Sequence, residues 1–356
     1  MSVVGGQDPA APGQWEWTDH GTPPGTWVVS SPGALIAEPL RFFVSAADGR
    51  LFERRWDVSL DQWDWTDHGR PPDTWVVGAP GALISEPLKF FVCTADGRLF
   101  ERRWDVSLDQ WEWTDHGRPP GGWAVGSPGA VVADPLKFFV SGGDGRLFER
   151  RWDVALDRWE WTDHGRPPDT WVANSPGALI SEPLKFFVTT ADGRLLERRW
   201  DVTLDQWEWT DHGRPPDAWI VGTPGALIEE PLAFFVNAAD GRLFERRWVH
   251  EHYQWEWVDH GRPPGSWAAG SPGALIEQPL KFFISTADGR LMERRCEPSG
   301  WEWTDHGRPA DGWVVGSPGA LTVEPLKFFF GAADGRLMER RWNPEIAEEG
   351  EIIAPI

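Results

Sequence analysis

The sequence predicts an all-β fold, a seven-bladed β-propeller of four-stranded antiparallel blades closed by its N-terminal strand, and three observations predict it. The first is a repeat. The motif WEWTDHG, or a near copy, begins at Trp15, Trp63, Trp111, Trp159, Trp207, Trp255 and Trp301, with gaps of 48, 48, 48, 48, 48 and 46 residues. Self-similarity at this period signals a propeller, a solenoid or an array. The second is the pattern inside each unit, which has strand alternation and turn dipeptides and no helical period. The third is the phase of the ends. The sequence opens on an isolated fourth strand, Trp15 to His20, and closes after a third strand, Arg336 to Trp342.

Residues 81–128 illustrate one unit. Gly81 to Ser85 is a short apolar run after a Pro-Gly pair and reads as a buried strand. Pro87 separates it from Leu88 to Thr94, rich in aromatic and β-branched residues and so a second strand. Asp96-Gly97 marks a hairpin, because glycine accepts the positive φ of a tight turn. Arg98 to Trp104 is a third strand, Asp105 to Gln110 a turn, and Trp111 to His116 a fourth strand with Trp111 and Trp113 on one face. A loop from Gly117 to Pro128 leads onward.

Four-stranded sheets repeated radially make a propeller; solenoid coils are usually shorter and parallel. The blades are expected at 32–68, 80–116, 128–164, 176–212, 224–260, 272–306, and 318–342 completed by 15–20. The ring then occupies 14–342, with an N-terminal tail over 1–13 and an acidic tail over 343–356 that carries Glu345, Glu348, Glu349 and Glu351.

Composition narrows function. The net charge is −21, from 34 basic and 55 acidic residues. A nucleic-acid binder needs a basic footprint, and an anionic membrane surface repels such a chain, so neither partner is expected. No apolar run has spanning length, and the start of the sequence lacks a basic n-region and an apolar h-region. The cytosol is the default compartment, with non-classical release open. Two cysteines, Cys93 and Cys296, at non-equivalent positions do not make a disulfide framework. The 27 tryptophans are four per unit less one, because Cys296 stands where Trp104 has its counterpart. Most are expected to pack blade on blade, each removing roughly 150–250 Å² from water.

The stretch Pro80 to Leu83, then Leu88 to Thr94, Asp96-Gly97, Leu99-Phe100, Arg103 to Asp105 and Trp111 to Gly117, repeated in all units, resembles the seven-bladed lectins of the Photorhabdus lectin type. The resemblance implies a multivalent carbohydrate-binding ring, with fucose-like or O-methylated sugars as ligands and sites between neighbouring blades. The chain departs from that pattern in the longer loop carrying Trp75 and in its Trp-x-Trp spacing.

A sugar site needs an aromatic platform for a pyranose face and charged planar groups for paired hydroxyls. The third strand supplies both in six units: Glu53, Arg55 and Trp56; Glu101, Arg103 and Trp104; Glu149, Arg151 and Trp152; Glu197, Arg199 and Trp200; Glu245, Arg247 and Trp248; Glu339, Arg341 and Trp342. Packing and inter-blade ion pairs are the competing roles. The loop tryptophans Trp75, Trp123, Trp171, Trp219 and Trp267 are further platform candidates, or plugs at blade boundaries.

The seven Asp-His-Gly sites read as turn-tying groups, since seven copies of a catalytic dyad would be unusual. An enzyme needs one special blade, and the repeat breaks only at Val249 to Tyr253 and Cys296 to Gly300. His250, His252 and Cys296 there are of types that ligate transition metals, but drift in exposed turns explains the same changes. The chain is therefore read as a lectin rather than an enzyme. Its expected partner is a carbohydrate or glycoconjugate, with no cofactor and no resident metal. A protein-interaction scaffold is the alternative, because propellers serve both ends.

Overall fold

The computed structural model describes residues 14–344 apart from 324, and all regular structure among them is strand. Seven four-stranded antiparallel sheets form. In sequence order the blades span 33–67, 76–115, 124–163, 177–211, 220–259, 273–305, and 314–343 with 14–19. Among the described residues no helix is long and apolar enough to cross a membrane. The expected tails fall almost wholly outside the described residues.

The last blade is completed by the first strand. Gln14–Asp19 pairs antiparallel with Leu337–Asn343, with Trp15 opposite Trp342 and Asp19 opposite Met338. Every blade thus carries an outer strand of the Trp-x-Trp type. The ring also closes at its centre. A Cβ on Gly33 would lie 2.0 Å from the Pro80 carbonyl oxygen, and the relation repeats blade by blade until Gly319 meets Pro32 at 2.7 Å. Only a residue without a side chain permits that approach.

The inner strand differs from the expected one. In blade two it runs Val76–Ile84, not from Gly81, because Val76 pairs with Thr94 and its amide donates to Gly49 O of the preceding blade. Pro80 is tolerated because the register shifts between Val77 and Gly81 and again before Ile84. Ala82 takes up the bulge at φ 50°. Blades three, five and seven share this long form, whereas blades one, four and six keep a short strand preceded by one isolated bridge.

The core is phenylalanine rather than tryptophan. Phe43 of blade one meets Phe90 of blade two at 4.2 Å between ring centroids, and such a pair recurs at each of the seven interfaces. These rings are fully buried, whereas every tryptophan keeps some exposure. The phenylalanines lie on the second strand, where neighbouring blades are close. Trp111 and Trp113 lie on the outermost strand, where blades splay, and pack edge-on against Phe43 and Phe100.

Candidate functional site

The third strand divides its side chains between structure and surface. Glu53, Glu101, Glu149, Glu197, Glu245 and Glu339 are all buried. Each accepts a hydrogen bond from Nε2 of its own blade's Asp-His-Gly histidine, or in the last blade from His20, at 2.8–3.1 Å. The opposite ring nitrogen, Nδ1, faces the first arginine of the next blade's Glu-Arg-Arg. Arg102 Nη2 approaches His68 Nδ1 at 3.2 Å, and Arg54 Nη2 approaches His20 Nδ1 at 3.2 Å. An arginine only donates, so Nδ1 accepts and the proton sits on Nε2. The imidazole is therefore neutral, and burial accordingly holds His68 below its ordinary 6.5. Burial also pulls the Arg102 guanidinium down to about 10, which leaves it charged at neutral pH. Arg102 stacks over Trp113 at 4.8 Å. The seven histidines are thus rivets between blades.

The second arginine and the tryptophan of each set lie further out. Arg55, Arg151, Arg247 and Arg341 are exposed, and Arg103 and Arg199 half-buried. Trp56, Trp104, Trp152, Trp200, Trp248 and Trp342 are all half-buried. Trp104 packs edge-on against Trp111 across the strand pair.

A cation that the repeat displays in Pro-Leu-Lys-Phe-Phe, and that the sequence pattern hides within an apolar run, joins the site. Arg41, Lys89, Lys137, Lys185, Lys281 and Lys327 open the second strand and reach into the cleft beside the next blade. Lys89 Nζ lies 5.1 Å from the Trp159 ring, Lys185 5.2 Å from Trp255, and Lys281 5.2 Å from Trp15. The same cations face the buried glutamates, as in Arg41 to Glu53 at 3.7 Å and Lys281 to Glu293 at 3.9 Å. Burial would raise the Glu197 carboxyl. The His212 hydrogen bond and the Lys185 ammonium outweigh that and hold it below its ordinary 4.5.

Between blades four and five this cleft opens into a cavity of about 1030 Å³. Lys185, Glu197 and Arg199 line it from blade four, and Trp248 and Trp255 from blade five, with Glu230, Pro231 and His250 in turns at its mouth. The candidate set is therefore split across the boundary. In this cavity the charged residues of blade four meet Trp248 of blade five, and their own Trp200 is not among its walls. Arg199 Nη2 donates to Glu208 Oε2 at 3.1 Å. A smaller cavity of about 530 Å³ follows between blades five and six, lined by Glu245, Arg247, Trp248, His250, Cys296 and Trp301, so that here the tryptophan stays with its own glutamate and arginine.

The loop tryptophans stand elsewhere. Strand direction puts the turns around Glu86-Pro87 and Asp105 to Asp109 on one face of the ring, with both cavities. The Asp-Gly turns and the Trp75 loops lie on the opposite face. Trp75, Trp123, Trp171, Trp219 and Trp267 are 49–56% exposed, as are Trp27 and Trp313. Each rests on the Asp-Gly turn of the preceding blade: a Cβ on Gly97 would lie 2.2 Å from Trp123 Cβ. Arg166, Arg214, Arg262 and Arg308 stack on four of them at 4.5–5.4 Å.

Among the described residues no three His, Cys, Asp or Glu side chains gather as a metal site. His250 and Cys296 share the smaller cavity, but His252 lies near Glu256, with Nδ1 3.8 Å from the carboxylate. No family model matches the chain, and no curated protein matches it.

Proposed function

We propose that this propeller is a multivalent carbohydrate-binding protein, a lectin, with its sites in the inter-blade clefts of the face that bears the Glu-Pro turns. One observation carries the reading: the cavity between blades four and five sets Trp248 opposite Lys185, Glu197 and Arg199. A pyranose has one apolar face and a rim of hydroxyls. Trp248 is the platform for the face, and the charged groups bind hydroxyls through charge-assisted hydrogen bonds. These residues are already held by His212, Glu208 and Trp255, so little ordering is lost on binding. No bond is made or broken in this reading. The acidic chain disfavours nucleic acid as partner.

A glycan array followed by calorimetry tests the proposal, starting with fucose-like and O-methylated sugars, which the family resemblance suggests. Binding of a defined sugar whose calorimetric stoichiometry falls in Trp248→Ala, as that one site weakens by about ten-fold, or ~1.4 kcal/mol, supports it. Silence across the array, or binding indifferent to Trp248, overturns it. The seven half-exposed tryptophans on the opposite face favour a second reading, a scaffold for protein partners. That reading predicts partner capture lost on Trp171→Ala and untouched by Trp248→Ala.

A further inference from the structure

The cleft between blades five and six has lost two groups together. Ala233 stands where blades two, three, four, six and seven carry lysine and blade one carries Arg41. Across the same cleft Cys296 stands where six blades carry tryptophan. What surrounded the lysine remains. Trp301 occupies the place of Trp159, over which Lys89 Nζ sits at 5.1 Å, and still packs against Phe235 at 5.4 Å. Glu245 occupies the place of Glu53 and Glu293, whose carboxylates have a cation at 3.7 and 3.9 Å. Glu245 is buried; among the described residues its one side-chain hydrogen bond is from His260 Nε2 at 2.8 Å, and Arg294 acts on it only electrostatically. Both Ala233 and Cys296 are small, and they, Glu245 and Trp301 line the cavity of about 530 Å³. Arg247, the one Lys or Arg at its wall among the described residues, is engaged by Glu256 at 3.5 Å.

We propose that this cleft is a binding site for a primary ammonium group, carried by an unacetylated amino sugar or a small alkylamine, held between the Glu245 carboxylate and the Trp301 ring. The ligand's ammonium takes the position that the lysine ammonium fills in the other clefts. A cation is attracted to the face of an indole, and a buried carboxylate is stabilised by a partner of opposite charge. The vacated tryptophan volume admits the rest of the ligand. The proposal does not rest on the sugar reading: Trp248 and His250 line both cavities, but the ammonium is held by Glu245 and Trp301, and the test below reads Ala233 and Cys296.

Cys296 reports occupancy. It is exposed in the cavity, whereas Cys93 is fully buried with its thiol pushed up to about 12, so alkylation by iodoacetamide followed by intact mass reads Cys296. The rate is measured at constant pH and ionic strength with glucosamine, n-butylamine, N-acetylglucosamine or glucose. Glucosamine or n-butylamine slows alkylation about five-fold at four times its dissociation constant, by simple occupancy; glucose and N-acetylglucosamine, which carry no ammonium, leave it unchanged. Ala233→Lys, which installs the residue five other blades carry, removes the protection. Absence of protection by both amines, equal protection by glucose, or protection that survives Ala233→Lys overturns the proposal.

Discussion

Each Asp-His-Gly histidine holds two blades through its two ring nitrogens, and that geometry works only for the neutral ring. His68 donates to Glu53 at 2.8 Å and faces Arg102 of the next blade at 3.2 Å. Removing it takes a hydrogen-bond partner from a buried carboxylate and from a buried guanidinium, so His68→Ala should cost about 3 kcal/mol in denaturant unfolding. The pH dependence follows in sign. Burial depresses His20, His68, His116, His164 and His306 below 6.5 in the folded chain, while the unfolded chain protonates near 6.5. Folding excludes those protons. The stabilisation is therefore complete above pH 6.5 and is lost as pH falls below it toward the folded values. Calorimetry should show a flat melting temperature above pH 6.5 and a decline beginning there. A second decline belongs below 4.5, where Glu101, Glu197 and Glu293, held down in the fold, take up protons. The sequence predicts that the Asp-His-Gly groups tie the turn; the aspartate does so, Asp67 Oδ1 accepting from Gly69 N at 2.8 Å, whereas the histidine side chain does not. Its bridging of blades was not legible, because Glu53 and Arg102 are brought to one imidazole only when two sheets stack.

At the scale of elements, the closing strand and the inner strand carry the architecture. Gln14–Asp19 supplies a complete outer strand to the last blade, with Trp15 against Phe283, and the next residue, His20, meets Arg54 of blade one. A variant lacking residues 1–20 should melt at lower temperature and associate on size-exclusion chromatography, because the edge of Leu337–Asn343 is left unpaired. An unchanged midpoint would show that the ring holds without its strap. Gly81→Ala probes the centre. Its Cβ would sit 2.1 Å from Pro128 O, so the inner strand must shift, at a cost of about 1–3 kcal/mol in unfolding experiments. The outer three strands were legible from alternation and Asp-Gly turns. The inner strand was read too short, since Pro80 looks like a terminator until the bulges around Ala82 show how the strand passes it.

The whole molecule presents two unlike faces on one rigid ring. If the clefts bind sugar, Trp248→Ala should lower the calorimetric stoichiometry while a multivalent glycan surface is still held, because avidity comes from the remaining sites. Trp171→Ala, on the opposite face, should leave that sugar binding unchanged. The sequence by itself determined the blade count, the antiparallel four-stranded unit and the closing strap. Those follow from a 48-residue period, local alternation and the phase of the chain ends, all of which are properties of one dimension. Which side chains meet was decided only by the tertiary structure. Glutamates with an obvious surface pattern became buried rivets, and lysines in an apolar run became cleft cations. Arg199 faces Trp248 of the next blade across a cleft that its own neighbour Trp200 does not line, and the loop tryptophans went to the far side. The physical reason is that a site made between blades joins residues about one repeat apart, and their relative placement depends on how two twisted sheets pack, which neither strand encodes alone.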